Sequence, residues 1–176
     1  MKLKLLIPFA IMTLLLQFCS RNRGGNLTVR EIHETEEALV GANRLLVQKD
    51  REKIVSYLLQ NNLALKETAS GLWYGITQQG SGTKVQENML VTLKYRVSLL
   101  DGTKCYDSDS LGVKHFMVGQ GGVESGLEEG VLMLNEGSKA LFIMPPHLAH
   151  GLPGDGIRIP ARSVIVYDID LLKVEP

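Results

Sequence analysis

Few side chains in this sequence have the types and spacing that bond-breaking chemistry needs. No Ser/His/Asp order, Cys/His pair or phosphate-binding glycine loop stands out. His147 and His150 lie three residues apart, but no nearby cysteine or acidic cluster completes a set of metal ligands. Cys105 has no evident basic partner, which favours a buried thiol over a nucleophile. The sequence therefore predicts neither a metal site nor a cofactor.

The aromatic residues of the second half indicate a different kind of site, one that works by shape. Taken singly, Tyr95 or Tyr167 on an alternating strand is typical of a core residue. They stand, however, within a fixed order of short motifs, which favours a pocket: Tyr95, Asp101-Gly102-Thr103, Tyr106-Asp107-Ser108, Gly126-Leu127-Glu128-Glu129-Gly130, Ile159-Pro160 and Val166-Tyr167-Asp168.

This motif order resembles the FKBP-type peptidyl-prolyl isomerases, from near Leu72 to Glu175. The resemblance implies a shallow pocket of aromatic and aliphatic side chains that receives a proline ring. Carried over residue by residue, it assigns the site to Tyr95, Tyr106, Asp107, Phe116, Val123, Glu124, Leu127, His150, Ile159 and Tyr167.

Four positions depart from the family pattern. Cys105 is one residue more than the common spacing, which predicts a β-bulge. Leu127 replaces a Trp that commonly forms the pocket floor, Glu124 replaces an Ile, and His150 replaces a Tyr. Because histidine ordinarily titrates near pH 6.5, we hypothesise that His150 makes substrate binding sensitive to pH. A flat pH profile of activity around that value would contradict this.

The chemistry that the resemblance implies needs no acid, base, metal or nucleophile. Rotation about a peptide bond has a barrier of roughly 18–20 kcal/mol because twisting breaks C–N conjugation. A pocket that holds the twisted amide and lowers this barrier by about 5–6 kcal/mol accelerates the exchange roughly 10⁴-fold. In this scheme Asp107 orients a hydrogen bond, with Tyr95 as the expected partner.

Hydrophobic periodicity predicts the elements that position these residues. Strict alternation from Met89 to Leu99 predicts a half-buried strand with Tyr95 on its buried face. One apolar stripe over 126–135 predicts the only short helix of this half. Further strands are predicted over 72–78, 103–107, 114–118, 139–144 and 163–174, with a long loop over 147–162. The predicted fold class is α+β, a curved antiparallel β-sheet wrapped over one short helix and preceded by an N-terminal helical extension.

The first residues resemble a bacterial lipoprotein signal. Lys2 and Lys4 precede an apolar run from Leu5 to Phe18, which is short for a membrane-spanning helix. Cys19 follows directly, and the resemblance implies that it carries lipid. Ordinary cleavage nearby and an uncleaved anchor are the alternatives. The formal net charge is zero, so bulk electrostatics do not suggest a nucleic-acid partner.

Residues 29–60 have the apolar spacing of one long helix or two joined helices. Ile32, Leu39 and Leu46 repeat at seven residues, and Thr28 with Glu31 has the form of a capping box. The helix either packs on its own domain, serves as a spacer, or pairs two copies in a dimer. The predicted organisation is a signal over 1–18, a tether over 19–28, a helical extension over 29–68 and an FKBP-like domain over 69–176.

Together these features predict an isomerase that acts on X-Pro bonds of exported proteins. Its predicted place is the periplasmic side of a bacterial membrane, held by lipid on Cys19. The predicted partners are proline-containing polypeptides and the membrane, with a homodimer through 29–60 left open. The arrangement also resembles gliding-motility-associated isomerase lipoproteins of the Bacteroidetes. The alternatives are a weakly active or inactive chaperone or scaffold that binds proline-containing segments, and an adaptor that acts through residues 29–60.

Overall fold

The computed structural model describes residues 29–176. The predicted signal over 1–18, Cys19 and the tether to residue 28 lie outside the described residues. Contacts divide the chain into two units, one ending at Ala42 and the other spanning Asn43–Pro176. Across the described residues, no helix has both the length and the apolar character that a bilayer span requires.

Helix α1 runs from Val29 to Gln60, as the sequence predicts. It ends where Asn62 adopts a left-handed conformation with a φ of 54°. The N–H of Leu63 then donates to the carbonyl of Leu58 at 2.9 Å. This bond satisfies a carbonyl of the last helical turn, and asparagine is one of the few residues that tolerate a positive φ.

Seven strands form one antiparallel sheet, which confirms the predicted fold class. They are β1 (Lys66–Glu67), β2 (Trp73–Gln78), β3 (Leu90–Leu99), β4 (Lys104–Asp107), β5 (Lys114–Met117), β6 (Lys139–Met144) and β7 (Ile165–Glu175). Their order is β1-β2-β6-β7-β3-β4. The two short strands β4 and β5 share one edge of β3, each pairing with a different half of it. The predicted domain boundary at 68/69 falls just after β1, which pairs with β2.

The β3–β4 pair contains the predicted bulge. Val97 lies opposite Tyr106 whereas Ser98 lies opposite Lys104, so Cys105 is the extra residue. Its side chain is buried in the core, and burial raises the pKa of its thiol. The thiol is therefore a packed group, as the sequence predicts.

Two predictions about short helices were wrong. Residues Ser108–Leu111 form a one-turn helix, α2, that the sequence analysis did not predict. Helix α3 spans Ser125–Val131 and does not reach Asn135. After Val131 the N–H groups of Met133 and Leu134 donate to carbonyls three residues back, those of Gly130 and Val131. Asn135 then pairs with Lys84 in an isolated β-bridge, a backbone geometry that a helix cannot adopt. A 3₁₀ turn at Pro146–Leu148 also lies at the start of the region that was predicted as a loop.

The main core lies between the sheet and α3. The predicted stripe of Leu127, Val131 and Leu134 is fully buried there, as is Phe142 of β6. A Cβ atom on Gly130 would lie 2.3 Å from the Phe142 ring, so only glycine lets α3 approach this closely. The inward residues that were predicted for β7 are all buried in this core: Ile165, Tyr167, Ile169 and Leu171.

A second, smaller core contains the C-terminal end of α1. Ile54 and Leu58 pack there with Trp73, Ile143 and Val166. Val166 faces this core although its neighbour Tyr167 faces the other, because successive strand residues point to opposite faces. Over residues 50–58 the helix thus packs on its own domain, which is one of the alternatives that the sequence left open.

A buried ion pair joins α1 to the loop before β7. The Asp50 side chain is 4% exposed, and its carboxylate accepts a hydrogen bond from Arg162 Nη2 at 2.5 Å. Lys53 Nζ lies 3.2 Å from the other carboxylate oxygen. Arg162 has a φ of 55°, and its N–H donates to the carbonyl of Gly151. The pair therefore fixes both a helix and a loop of unusual backbone conformation.

Replacing Asp50 with Ala should lower the free energy of unfolding by about 2 kcal/mol, because it leaves a partly buried guanidinium without its carboxylate. Arg162 is 26% exposed, so the loss stays below that of a fully buried pair. Urea unfolding followed by circular dichroism measures it. The control Glu52→Gln, on an exposed part of the same helix, should change stability by no more than about 0.5 kcal/mol. Equal losses in the two variants would contradict the prediction.

Candidate functional site

A cavity of about 240 Å³ opens on the main-core side of the sheet. Strands β3, β4, β5 and β7, helix α2 and the loop after the 3₁₀ turn all contribute to it. Its lining is Tyr95, Val97, Tyr106, Leu111, Lys114, Glu124, His150, Asp155, Ile157 and Tyr167. Apolar surface dominates this lining, with a small set of charged groups at particular points.

Two tyrosines form the aromatic part of the cavity. Val97 pairs with Tyr167 and Tyr95 pairs with Ile169, so the two tyrosines are diagonal neighbours on one face of the sheet. Their ring centroids are 5.8 Å apart with an interplanar angle of 36°. Tyr167 is fully buried whereas Tyr95 is partly exposed, which places Tyr95 nearer the opening.

The Tyr167 hydroxyl has no hydrogen-bond partner within the described part of the chain, although it is fully buried. Burial, with the nearby carboxylate of Glu124 and the ring of Tyr95, raises the pKa of this phenol. Burial also raises the pKa of Tyr95, helped by Asp107 and Glu124. Both tyrosines therefore remain neutral and present rings and hydroxyls rather than charge.

Asp155 fastens the loop that borders the cavity. One carboxylate oxygen accepts hydrogen bonds from the backbone N–H groups of Ile157, Arg158 and Ile159 at 2.8–2.9 Å. The other accepts a short hydrogen bond from the Tyr106 hydroxyl. Burial acts to raise the pKa of Asp155, but these donors together hold it well below its usual range.

The Tyr106 ring carries a second contact with this loop. The Arg158 guanidinium lies 5.3 Å from the ring centroid, in cation–π range. Its Nη1 donates to the carbonyl of Cys105 at 2.8 Å. The loop is thereby attached to β4 by both charge and hydrogen bonding.

Asp107 does not bond Tyr95, the partner expected from the sequence. It is the N-cap residue of α2, and its extended backbone turns the carboxylate toward the Ser110 N–H, which donates at 2.8 Å. The second oxygen pairs with Lys104. Tyr95 is instead held through its backbone N–H, which donates to the Ser108 hydroxyl at 3.3 Å. The Asp107 carboxylate thus stabilises α2, whose Ser108 hydroxyl contacts Tyr95.

A cluster of charged side chains lies over the aromatic rings. Lys114 Nζ is 5.1 Å from the Tyr95 ring centroid and 5.4 Å from that of Tyr167. Glu124 Oε2 lies 3.5 Å from the same nitrogen, and Glu124 Oε1 lies 3.3 Å from His150 Nε2. The Glu124 side chain is only 9% exposed, so one nearly buried carboxylate stands between two bases.

The cavity brings together half of the residues that the family resemblance assigns to the site. Tyr95, Tyr106, Glu124, His150 and Tyr167 line it. Val123 lines an adjoining depression with Glu124 and His150, and Asp107 lines a separate depression along β3. The other three lie in the surrounding core: Phe116, Leu127 and Ile159.

Sequence reasoning missed two charged residues of the lining, Lys114 and Asp155. Asp155 stands in Pro-Gly-Asp-Gly, and an aspartate in such a turn commonly accepts N–H groups two residues ahead, so this signal was available. Nothing local identifies Lys114, because its carboxylate partner Glu124 and the rings of Tyr95 and Tyr167 lie on other elements. No group of three side chains suited to a metal ion occurs within residues 29–176, and His147 Nε2 lies 2.9 Å from the Ser70 carbonyl oxygen.

Comparison with known proteins decides the family. The model of the FKBP-type peptidyl-prolyl cis-trans isomerase family matches residues 81–172. The chain belongs to this family. The matched segment contains strands β3 to β6, most of β7 and every residue that lines the cavity, so the site lies within the FKBP domain.

Individual relatives agree with this assignment. The chain is similar to FkpA of Aeromonas hydrophila, at 36% identity over 82% of this chain and 53% of that protein. It is similar to FkpA of Neisseria meningitidis serogroup B, at 34% identity over 81% of this chain and 53% of that protein. The crystal structure of FkpA from Escherichia coli superimposes with a TM-score of 0.62 at 26% identity, over 86% of this chain and 75% of that one. This FKBP chain spans about half the length of the curated relatives that it matches.

Acid should weaken the Asp107 cap. Lys104 and the Ser110 N–H lower the pKa of Asp107 from 3.8 to about 2. A lowered folded-state pKa contributes stability that is present above about pH 4 and is lost as the pH falls through 2. We therefore expect the stability difference between the wild type and Asp107→Asn to shrink from pH 5 to about pH 2, measured by urea unfolding at each pH.

Lys104→Met is the matched variant, because it removes the largest cause of the lowered pKa and keeps the carboxylate. It should shift the acid-sensitive range of Asp107 upward, toward the ordinary titration of aspartate near pH 3.9. Identical pH profiles for the wild type and both variants would show that the cap does not control acid stability.

Proposed function

We propose that this protein is a peptidyl-prolyl cis-trans isomerase that acts on X-Pro bonds of exported proteins. The observation that carries the proposal is the cavity walled by Tyr95 and Tyr167 inside an FKBP family domain. Two adjacent ring faces of neutral tyrosines offer a proline ring an apolar surface. Asp155 accepts three backbone N–H groups of the bordering loop, which stabilises this wall of the cavity.

The proposed mechanism works by differential binding of the twisted amide. Rotation costs roughly 18–20 kcal/mol in water because the planar amide is conjugated. A proline ring held against Tyr95 and Tyr167 leaves the preceding carbonyl free to rotate, and the Glu124 backbone N–H is the group that the family resemblance assigns to a flanking carbonyl. Only contacts that strengthen in the twisted state accelerate the reaction.

The chain from residue 26 should accelerate proline-limited refolding of a substrate protein. Replacing Tyr95 with Ala should lower kcat/KM at least tenfold, about 1.4 kcal/mol of transition-state binding, because it removes one ring face of the cavity. Tyr57→Ala is the control, since Tyr57 is also a partly buried tyrosine but lies on α1 away from the lining. The proposal fails if the chain gives no rate gain or if Tyr95→Ala retains all of it.

A second candidate is a chaperone or scaffold that binds proline-containing segments without fast turnover. The position of Lys114 favours it, since the ammonium lies over both rings that would receive the proline. This function would give peptide binding by calorimetry together with no rate gain in the refolding assay.

We further propose that lipid on Cys19 anchors the protein at the periplasmic face of a bacterial membrane. The support is the sequence pattern of an apolar run followed directly by Cys19. The mass of the mature N-terminus should show a cysteine that carries acyl chains, and Cys19→Ala should move the protein from the membrane fraction to the soluble fraction. Unmodified protein in both fractions would overturn the anchor.

We also propose that α1 pairs two copies of the chain. Five large apolar side chains between residues 39 and 47 of this helix are exposed: Leu39, Val40, Leu45, Leu46 and Val47. Leu39 with Leu46, and Val40 with Val47, repeat at seven residues, the spacing of a helix–helix seam. Light scattering should give a dimer for the chain from residue 26 and a monomer for Leu39→Gln/Leu46→Gln. A monomeric wild type would exclude this.

A further inference from the structure

The Lys114 ammonium lies over the two tyrosine rings that the proposed function assigns to the proline ring. The nitrogen stands within 5.4 Å of the ring centroids of Tyr95 and Tyr167, and the lysine side chain is only 24% exposed. A cation over an aromatic face at this range is attracted to the ring. If a proline ring binds these faces, as the proposed function requires, the ammonium must move off them.

Within the described cavity lining, Lys114 Nζ has one carboxylate contact. It is Glu124 Oε2, at 3.5 Å, and the other Glu124 oxygen faces His150. Asp155 is the second carboxylate of the lining, but its oxygens are occupied by Tyr106 and three backbone N–H groups. A lysine ammonium has three donors. Its remaining donors therefore favour an acceptor that the substrate brings.

We propose that Lys114 makes this site selective for proline preceded by an acidic residue, Glu-Pro or Asp-Pro. The proline ring takes the place of the ammonium on the tyrosine faces, and the ammonium pairs with the carboxylate of the preceding residue. A second cation, the Arg158 guanidinium, lies 5.3 Å from the ring centroid of Tyr106, which lines the same cavity. The inference rests on the proposed isomerase function and names its substrate class.

The geometry of a peptide allows this pairing. Consecutive Cα atoms are about 3.8 Å apart, so the side chain before proline begins close to the ring. Lysine carries its charge on a flexible stem of four carbons and can follow a carboxylate over several ångströms. An acidic residue further along the chain would have to fold back to reach the same nitrogen.

The test compares Ala-Xaa-Pro-Phe peptides in which Xaa is Glu, Gln, Leu or Lys. The isomerisation rate is measured with the chain from residue 26. We expect kcat/KM for Glu-Pro to exceed that for Gln-Pro about fivefold at low salt, which corresponds to about 1 kcal/mol. Glu and Gln have the same shape, so their ratio isolates the charge. The ratio should decline toward one at high ionic strength, because salt screens partly exposed pairs.

Lys114→Met should bring the Glu/Gln ratio close to one, whereas Lys114→Arg should keep most of it. Lys84→Met removes an exposed lysine outside the cavity and should leave the ratio unchanged. A ratio of one in the wild type, or an unchanged ratio in Lys114→Met, would overturn the inference. Even if Lys114→Met does not fold, the Glu/Gln ratio of the wild type and its salt dependence still test the inference.

Failure of this inference is distinguishable from failure of the proposed function. If the wild type accelerates Leu-Pro and shows no preference for Glu-Pro over Gln-Pro, the isomerase function stands and only the selectivity is lost. If no peptide is accelerated, the proposed function itself fails, and the selectivity fails with it.

Discussion

The pairing of β3 with β7 is the constraint on which the rest of the structure depends. These antiparallel strands run together from the Leu90–Glu175 pair to the Leu99–Ile165 pair. Because side chains alternate faces, this register sets Tyr95 and Tyr167 side by side above the main core. A slip of one residue would turn Tyr167 to the opposite face. The single irregularity in the pairing falls between Thr92 and Leu93, short of the tyrosines.

A helix packs on each face of the sheet, and the two helices support the cavity in different ways. On one face α3 packs closely through Gly130, which closes the main core beneath the rings. On the other face the end of α1 packs against Trp73 and Val166. The same helix reaches the cavity loop through the Asp50–Arg162 pair, while Asp155 holds that loop from within. The loop is thus fixed at two points, at one by an ion pair with α1 and at the other by hydrogen bonds to Asp155.

The charged cluster is the feature that separates this cavity from a purely apolar one. Burying the Glu124 carboxylate costs desolvation energy, which Lys114 and His150 offset by their proximity. The ammonium also gains from the two tyrosine faces. Charge and aromatic surface therefore occupy the same small volume. A ligand that enters the cavity meets both the charged groups and the tyrosine rings.

The positions of strands β2 to β7 along the chain were predictable from the sequence alone, whereas the two-residue strand β1 and the order of the strands in the sheet were not. Alternation is a local property, so it identified the buried face of β3 and the inward residues of β7. The extra residue Cys105, identified against the common spacing of the family, also predicted its bulge correctly. The motif order was enough to predict the family, and it identified half of the residues that line the cavity.

Only the tertiary structure decided which side chains meet. Lys114 and Glu124 lie on different elements, and no pattern along the chain records that both face Tyr95. The same holds for Asp50 and Arg162, which are far apart in sequence. Asp107 was identified as a site residue, but its partner was not, since a cap depends on a helix that periodicity could not detect in one turn. Sequence determines which face of an element is buried, whereas contacts between elements depend on the packing of the whole chain.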